Sequence, residues 1–168
     1  IKEMDKLFNG EINCNEILFP QGKIDYAEAL YKENTIYKML NELLALKVAE
    51  YILGNCEGDR LSVLEVGAGI GATTSAIFTM LEKMNLQRRC EYIYSDISDF
   101  FLQIGREKFT GVSDINYKKI DLNNYRQLKI LPQADIIVAA GVLNNVKDVD
   151  ITLELLYKKI KPKGLLLI

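Results

Sequence analysis

Residues 61–71 read Leu61-Ser62-Val63-Leu64-Glu65-Val66-Gly67-Ala68-Gly69-Ile70-Gly71, and they decide the fold. The apolar run Leu61–Val66, interrupted only by Ser62 and Glu65, predicts a buried parallel strand. Gly67, Gly69 and Gly71 follow at once, and residues 72–84 then read as a helix. Strand, glycine turn and helix in that order present backbone N–H groups at the carboxyl edge of an α/β sheet. The glycines allow the tight turn and let a bound group approach the main chain. Gly67, Gly69 and Ala72 also satisfy the G-x-G-x-x-[GA] dinucleotide fingerprint, so the glycines alone leave more than one ligand open.

Downstream, strand-like and helix-like segments alternate. Strands are expected at 91–95, 115–120 and 134–139, with a fifth starting at 165–168 after a turn at Lys161-Pro162-Lys163-Gly164. Helices are expected at 98–109, capped by Ser98, and at 149–160. This order predicts an α/β, Rossmann-like, doubly wound parallel sheet with its cleft outside the strands' carboxyl ends. Upstream, Ile17-Leu18-Phe19-Pro20-Gln21-Gly22 reads as a loop, and residues 25–32 as a short helix capped by Asp25. Residues 35–53 form a stronger helix: Ile36, Met39, Leu40, Leu43, Leu44, Leu46, Val48 and Ile52 recur at helical spacing, Thr35 caps it and Gly54-Asn55 ends it. Tyr26, Tyr31 and Tyr37 read either as packing between these helices or as a lid over the cleft. The expected division is an N-terminal helical extension, 1–60, and a core, 61–168. The chain begins at Ile1 and stops within an apolar run that reads as an interior strand, so the core is expected to be C-terminally truncated and incomplete.

Composition excludes several classes of function. At 168 residues, 49% hydrophobic and 26% charged, the chain suits about one globular domain. A net charge of -2 shows no basic footprint, which argues against nucleic acid as a partner. No apolar stretch approaches the ~18 residues that a membrane span needs. Cys14, Cys56 and Cys90 are scattered without a C-x-x-C pair, which fits free thiols in a reducing, cytoplasmic setting better than a disulfide framework or zinc site. With 0 His, Ser-His-Asp triads, His-ligated metals and an imidazole base are all excluded, and no metal site is expected.

The residues expected at the carboxyl ends narrow the ligand. A carboxylate at Glu65 adds little to a phosphate cradle but complements a cationic ligand end, such as the amino acid moiety of S-adenosylmethionine. Asp96, after the second strand, can take both hydroxyls of a ribose while Ile97 packs on adenine; alternatively Asp96 caps the next helix. Asp121, after the third strand, can accept from an adenine amino group with Leu122 covering the ring; alternatively it is a loop acid or helix cap. Gly141 permits close approach after the fourth strand. Asn144 and Asn145 either orient an acceptor by hydrogen bonds or form a turn and helix cap, and neither is a base. An acid after each of three strands suits S-adenosylmethionine, which carries a positive sulfonium and no pyrophosphate.

These segments resemble class I S-adenosylmethionine-dependent methyltransferases, specifically the domains embedded in nonribosomal peptide synthetases and polyketide synthases. The resemblance rests on Ile17-Leu18-Phe19-Pro20 with Tyr31 and Asn41, on the glycine segment from Leu64 to Thr74, on Tyr94-Ser95-Asp96-Ile97-Ser98-Asp99-Phe100-Phe101, and on Gly141-Val142-Leu143-Asn144-Asn145 with Lys161-Pro162-Lys163-Gly164-Leu165-Leu166. It implies cofactor contacts from Glu65, Gly67, Gly69, Asp96 and Asp121. Together with Tyr31, Ala68, Ile97, Leu122 and Gly141, these form the candidate cofactor set. It also implies an acceptor delivered on the phosphopantetheine arm of a carrier domain, between flanking synthase domains. Carbon-methylating relatives usually carry His where this chain has Asn144, which tilts the expected acceptor towards nitrogen, oxygen or sulfur. Two alternatives stand beside this reading: a degenerate methyltransferase-like scaffold, and an NAD-dependent reductase that shares the glycine fingerprint.

Overall fold

The computed structural model describes residues 4–12, 17, 19–20, 23–55 and 60–168. Leu18, Gln21 and Gly22 of the expected loop lie outside these, as do Cys14 and Cys56. The strands are β1 (Leu61–Val66), β2 (Cys90–Asp96), β3 (Ile115–Lys119), β4 (Ala134–Val138) and β5 (Ile160–Leu167). They form one sheet in the order β3-β2-β1-β4-β5. Every pair is parallel, with Glu65 opposite Tyr94 on one side and Val138 on the other. The chain winds outward from β1 through β2 to β3, then returns to place β4 on β1's other side. That reversal is a topological switch point, where an open α/β sheet leaves a crevice at its carboxyl edge.

Alternation along the strands loads both faces, as a sheet covered on both sides requires. Val63, Tyr92, Tyr94, Ile136 and Val138 share a core with Ala45, Val48, Ala49 and Ile52 of α3 (Thr35–Gly54), Ile77 and Leu81 of α4 (Ala72–Lys83), and Leu102 of α5 (Asp99–Lys108). Leu64, Val66, Ile137 and Ala139 pack on the other side with Leu128 of α6 (Tyr125–Lys129) and Leu155 and Leu156 of α7 (Val149–Tyr157). Two short helices precede α3: α1 (Met4–Phe8), and α2 (Asp25–Glu28), which runs into a π-helical turn at Ala29–Glu33. The chain divides into two compact units, Ile1–Leu40 and Asn41–Ile168. The buried residues of α3 thus belong to the sheet's unit.

Local chemistry moved several boundaries. Asn34, not Thr35, caps α3: its Oδ1 accepts from the N–H groups of Ile36 (3.0 Å) and Tyr37 (3.4 Å). Asp25 lies in the first turn of α2, behind Ile24. Only the C-terminal part of α3 buries its apolar residues; Ile36, Met39, Leu40 and Leu43 are exposed. Helix α7 ends at Tyr157, and β5 begins at Ile160, so Lys161–Gly164 is not a turn ahead of the strand. It is a bulge within the strand: the register passes from Ala134 opposite Ile160 to Ile136 opposite Leu165. Asp135 holds the bulge in place. Its Oδ2 accepts from Lys161 Nζ (2.8 Å), Ser62 N–H (2.7 Å) and Ser62 Oγ (2.7 Å). Among the described residues no helix is long and apolar enough to cross a membrane.

Candidate functional site

Four loops leave the carboxyl ends of β1 to β4 on the same edge of the sheet. After β1, Gly67, Gly69 and Gly71 take positive φ values of 68°, 56° and 71°. The three serve different purposes. A Cβ on Gly67 would fall on Val142, 2.7 Å from its Cβ, and one on Gly71 would meet Phe109 at 2.8 Å. Gly69 has only the Gly67 carbonyl oxygen, at 4.0 Å, and Gly141 nothing within 4 Å. Close approach to the main chain is therefore available at Gly69 and Gly141, whereas Gly67 and Gly71 are packed against protein. Ala68 is buried, and its N–H donates to the Ser95 carbonyl (2.9 Å).

Asp96 closes β2 and binds in two directions. Its Oδ2 accepts from Gly69 N–H (3.0 Å) and its Oδ1 from Ser98 N–H (2.9 Å), with only 6% of the residue exposed. It ties the glycine loop to the entry of α5, and the Ser98 side chain makes no capping bond. Ile97 beside it is 54% exposed, an apolar surface at the mouth of the crevice. After β3, Asp121 Oδ1 accepts from Asn123 N–H (2.8 Å), while Asn124 provides the cap of α6. Leu122 is buried. After β4, Asn144 and Asn145 are exposed in a single 3-10 turn, their side chains 3.4 Å apart. The α7 cap is Asp148, so these two asparagines fit the turn and not the cap. Lys147 N–H donates to Asn123 Oδ1 (2.7 Å), joining the third loop to the fourth.

Glu65 sits beneath this surface. It is 2% exposed, and its Oε2 accepts from Thr74 Oγ1 (2.5 Å) on α4 and Tyr92 hydroxyl (2.7 Å) on β2. Burial pushes its carboxyl up to about 7; the two hydrogen bonds oppose the rise and the Asp96 charge adds to it. Burial, then the neighbouring Glu65 charge, drives the Tyr92 hydroxyl well above its ordinary value. The start of α4 is also tied to α3, because Thr73 Oγ1 donates to Asn41 Oδ1 (2.8 Å). Tyr31 stacks edge-on to Tyr37 at 5.5 Å within the first compact unit. Tyr26 is exposed. No group of three acidic, Cys or His side chains suited to a metal exists among the described residues.

Sequence reasoning did not find Tyr94, Lys108 or Val142. Tyr94 hydroxyl donates to the Gly69 carbonyl (2.5 Å), Lys108 Nζ donates to that of Ile70 (2.9 Å), and Val142 packs on Gly67. Tyr94 alone left a signal, since a buried tyrosine hydroxyl needs a partner.

Comparison with known proteins shows the family and the fold. A methyltransferase domain profile matches residues 64–166. The polyketide synthase PksR of Bacillus subtilis is 28% identical over 174 residues, covering 100% of this chain and 7% of that protein. Pyochelin synthetase PchF of Pseudomonas aeruginosa is 32% identical over 143 residues, covering 83% of this chain and 8% of the relative. The crystal structures of the DszA and CurJ carbon methyltransferases superpose with TM-scores of 0.85 and 0.86. Each is 28% identical and matches 98% of this chain over 44% of its own. The chain therefore spans under a tenth of those synthases and under half of the two solved chains. Its parallel sheet with flanking helices is the Rossmann-like fold of class I methyltransferases. Both of these structures are carbon methyltransferases, which does not match the heteroatom acceptor expected from the sequence.

Proposed function

Since the chain belongs to the methyltransferase domain family, we propose that it moves a methyl group from S-adenosylmethionine to an intermediate tethered to a carrier domain, as one domain of a modular peptide or polyketide synthase. The observation that carries the donor half is the Gly69–Asp96 junction, an open glycine main chain hydrogen-bonded to a buried acid at the switch point. A ribose bound there would share the Asp96 carboxylate, whose oxygens each accept more than one hydrogen bond. Ile97 and Leu122 would pack on adenine, Asp121 would accept from its amino group, and Ala68 and Gly141 would allow close approach. Glu65 would act from beneath, holding α4 against β2. S-adenosylmethionine, when bound, supplies a methyl carbon made electrophilic by its sulfonium. The chain's task is to align an acceptor lone pair in line with the carbon–sulfur bond, and alignment alone supplies a large share of such rates.

The acceptor is proposed to be nitrogen, oxygen or sulfur. The sequence has 0 His, and Asn144 and Asn145, exposed beside the crevice, cannot take a proton from carbon. A neutral amine needs no base before attack. A second reading, carbon between two carbonyls, is favoured by the likeness to two carbon methyltransferase structures 28% identical to this chain. The deciding experiment uses the full-length protein with S-adenosylmethionine and carrier-bound substrates of both kinds, read by mass spectrometry. Methylation of the amine substrate supports the first reading, and methylation of the β-ketoacyl thioester replaces it with the second. Binding of S-adenosylhomocysteine without methyl transfer to either would point to a scaffold.

A further inference from the structure

We propose that Tyr94 is a positioning residue for the donor site, holding the glycine loop in its binding conformation through the Gly69 carbonyl. The proposal rests on the donor-binding reading above. Gly69 is the loop residue with open space at its α-carbon, and both of its peptide planes are held from one strand. Asp96 accepts from its N–H at 3.0 Å, and Tyr94, two residues earlier on the same face of β2, donates to its C=O at 2.5 Å. A left-handed residue flanked by two such bonds cannot rotate either peptide without breaking one of them. The main chain of the loop is therefore fixed before the donor arrives, which lowers the ordering cost of binding.

The packing around Tyr94 is arranged to keep the hydroxyl there. Its ring is fully buried between the Phe109 and Tyr117 rings, with centroids 6.0 and 5.6 Å away. Gly105 lies inside α5, where glycine is a poorer helix former than alanine. A Cβ there would stand 2.9 Å from the Tyr94 ring. The helix forgoes propensity at a position where a side chain would crowd the Tyr94 ring and, at 3.1 Å, the Tyr117 ring. Tyr117 provides a built-in control: its hydroxyl donates to the Gly105 carbonyl at 3.0 Å, on the same helix but away from the glycine loop.

The test is calorimetric titration of the full-length protein with S-adenosylhomocysteine, together with melting temperature and donor kinetics, for wild type, Tyr94→Phe, Gly105→Ala and Tyr117→Phe. Tyr94→Phe is expected to raise the Kd and the donor KM about tenfold, with kcat at saturating donor within about twofold. Gly105→Ala is expected to raise the Kd as well, by displacing the ring. Tyr117→Phe is expected to lower the melting temperature without changing the Kd. A Tyr94→Phe Kd equal to wild type, or an equal loss in Tyr117→Phe, would overturn the proposal. Wild type that binds no S-adenosylhomocysteine would overturn the donor reading itself, and this inference with it.

Discussion

Two acids near the crevice, both buried, behave differently. Asp96 holds the Gly69 and Ser98 amides, and it is the group proposed for the ribose hydroxyls. Replacing Asp96 with Ala is expected to weaken S-adenosylhomocysteine binding at least ~10-fold, about 1.4 kcal/mol, with the circular dichroism spectrum retained. Unchanged affinity in a titration would remove Asp96 from the site. Glu65 has its carboxyl raised from 4.5 to about 7 by burial. The folded chain therefore keeps a proton that the unfolded chain has already released. The stability tied to it is full below the unfolded value, falls as pH rises and is gone above the folded value. Wild type is expected to lose up to ~3 kcal/mol between pH 5 and 8, whereas Glu65→Gln keeps a flat profile through that window. Urea melts of both proteins across these pH values provide the check, and parallel profiles would contradict the assignment. Asp114, Asp135 and Glu154, held below their ordinary carboxylate values, titrate below this window and do not mask it.

At the scale of elements, the bulge in β5 shows how a polar network overrides local sequence preference. Lys161-Pro162-Lys163-Gly164 has the composition of a turn, yet Asp135 draws Lys161 onto β4 and the strand runs through. Gly164 is required there: a Cβ would approach the Asp135 carbonyl at 2.7 Å and the Lys161 carbonyl at 2.8 Å. Gly164→Ala is expected to destabilise the fold by about 2 kcal/mol, the range of overpacking, measured as a lower urea midpoint. A midpoint equal to wild type would show that the strand relaxes around the methyl group. The helix caps teach a related lesson. Asn34, Asn124 and Asp148 each provide an observed cap. All three are among the residue types that favour the position, but so are Thr35 and Asp25, which the structure left uncapping. Which of several neighbouring candidates caps a helix depends on the exit angle of the preceding chain, a tertiary property.

For the molecule as a whole, the switch point between β1 and β4 gathers loops from four strands into one crevice, and their mutual bonds make it a single unit. Asp96 joins the first loop to the second, Asn123 the third to the fourth, and Val142 closes the fourth onto Gly67. A ligand spanning them should stabilise the fold by mass action, about 2.7 kcal/mol at 100 times its Kd. S-adenosylhomocysteine is accordingly expected to raise the melting temperature of the full-length protein while NAD leaves it unchanged. A shift with NAD alone would revive the reductase reading. The strand–glycine–helix order, the parallel sheet and the residues at its carboxyl ends were all legible in the sequence by itself. Hydrophobic periodicity and glycine spacing are local signals, and chain order determines which end of each strand carries its loop. What only the tertiary structure decided was which groups meet. Glu65 lies under Thr74 and Tyr92, Tyr94 holds Gly69, and Gly67 serves packing while Gly69 stays open. The hydrogen-bonded pairs among them join residues up to 27 positions apart, and their register follows from how side chains fill the space between sheet and helices, which no local pattern encodes.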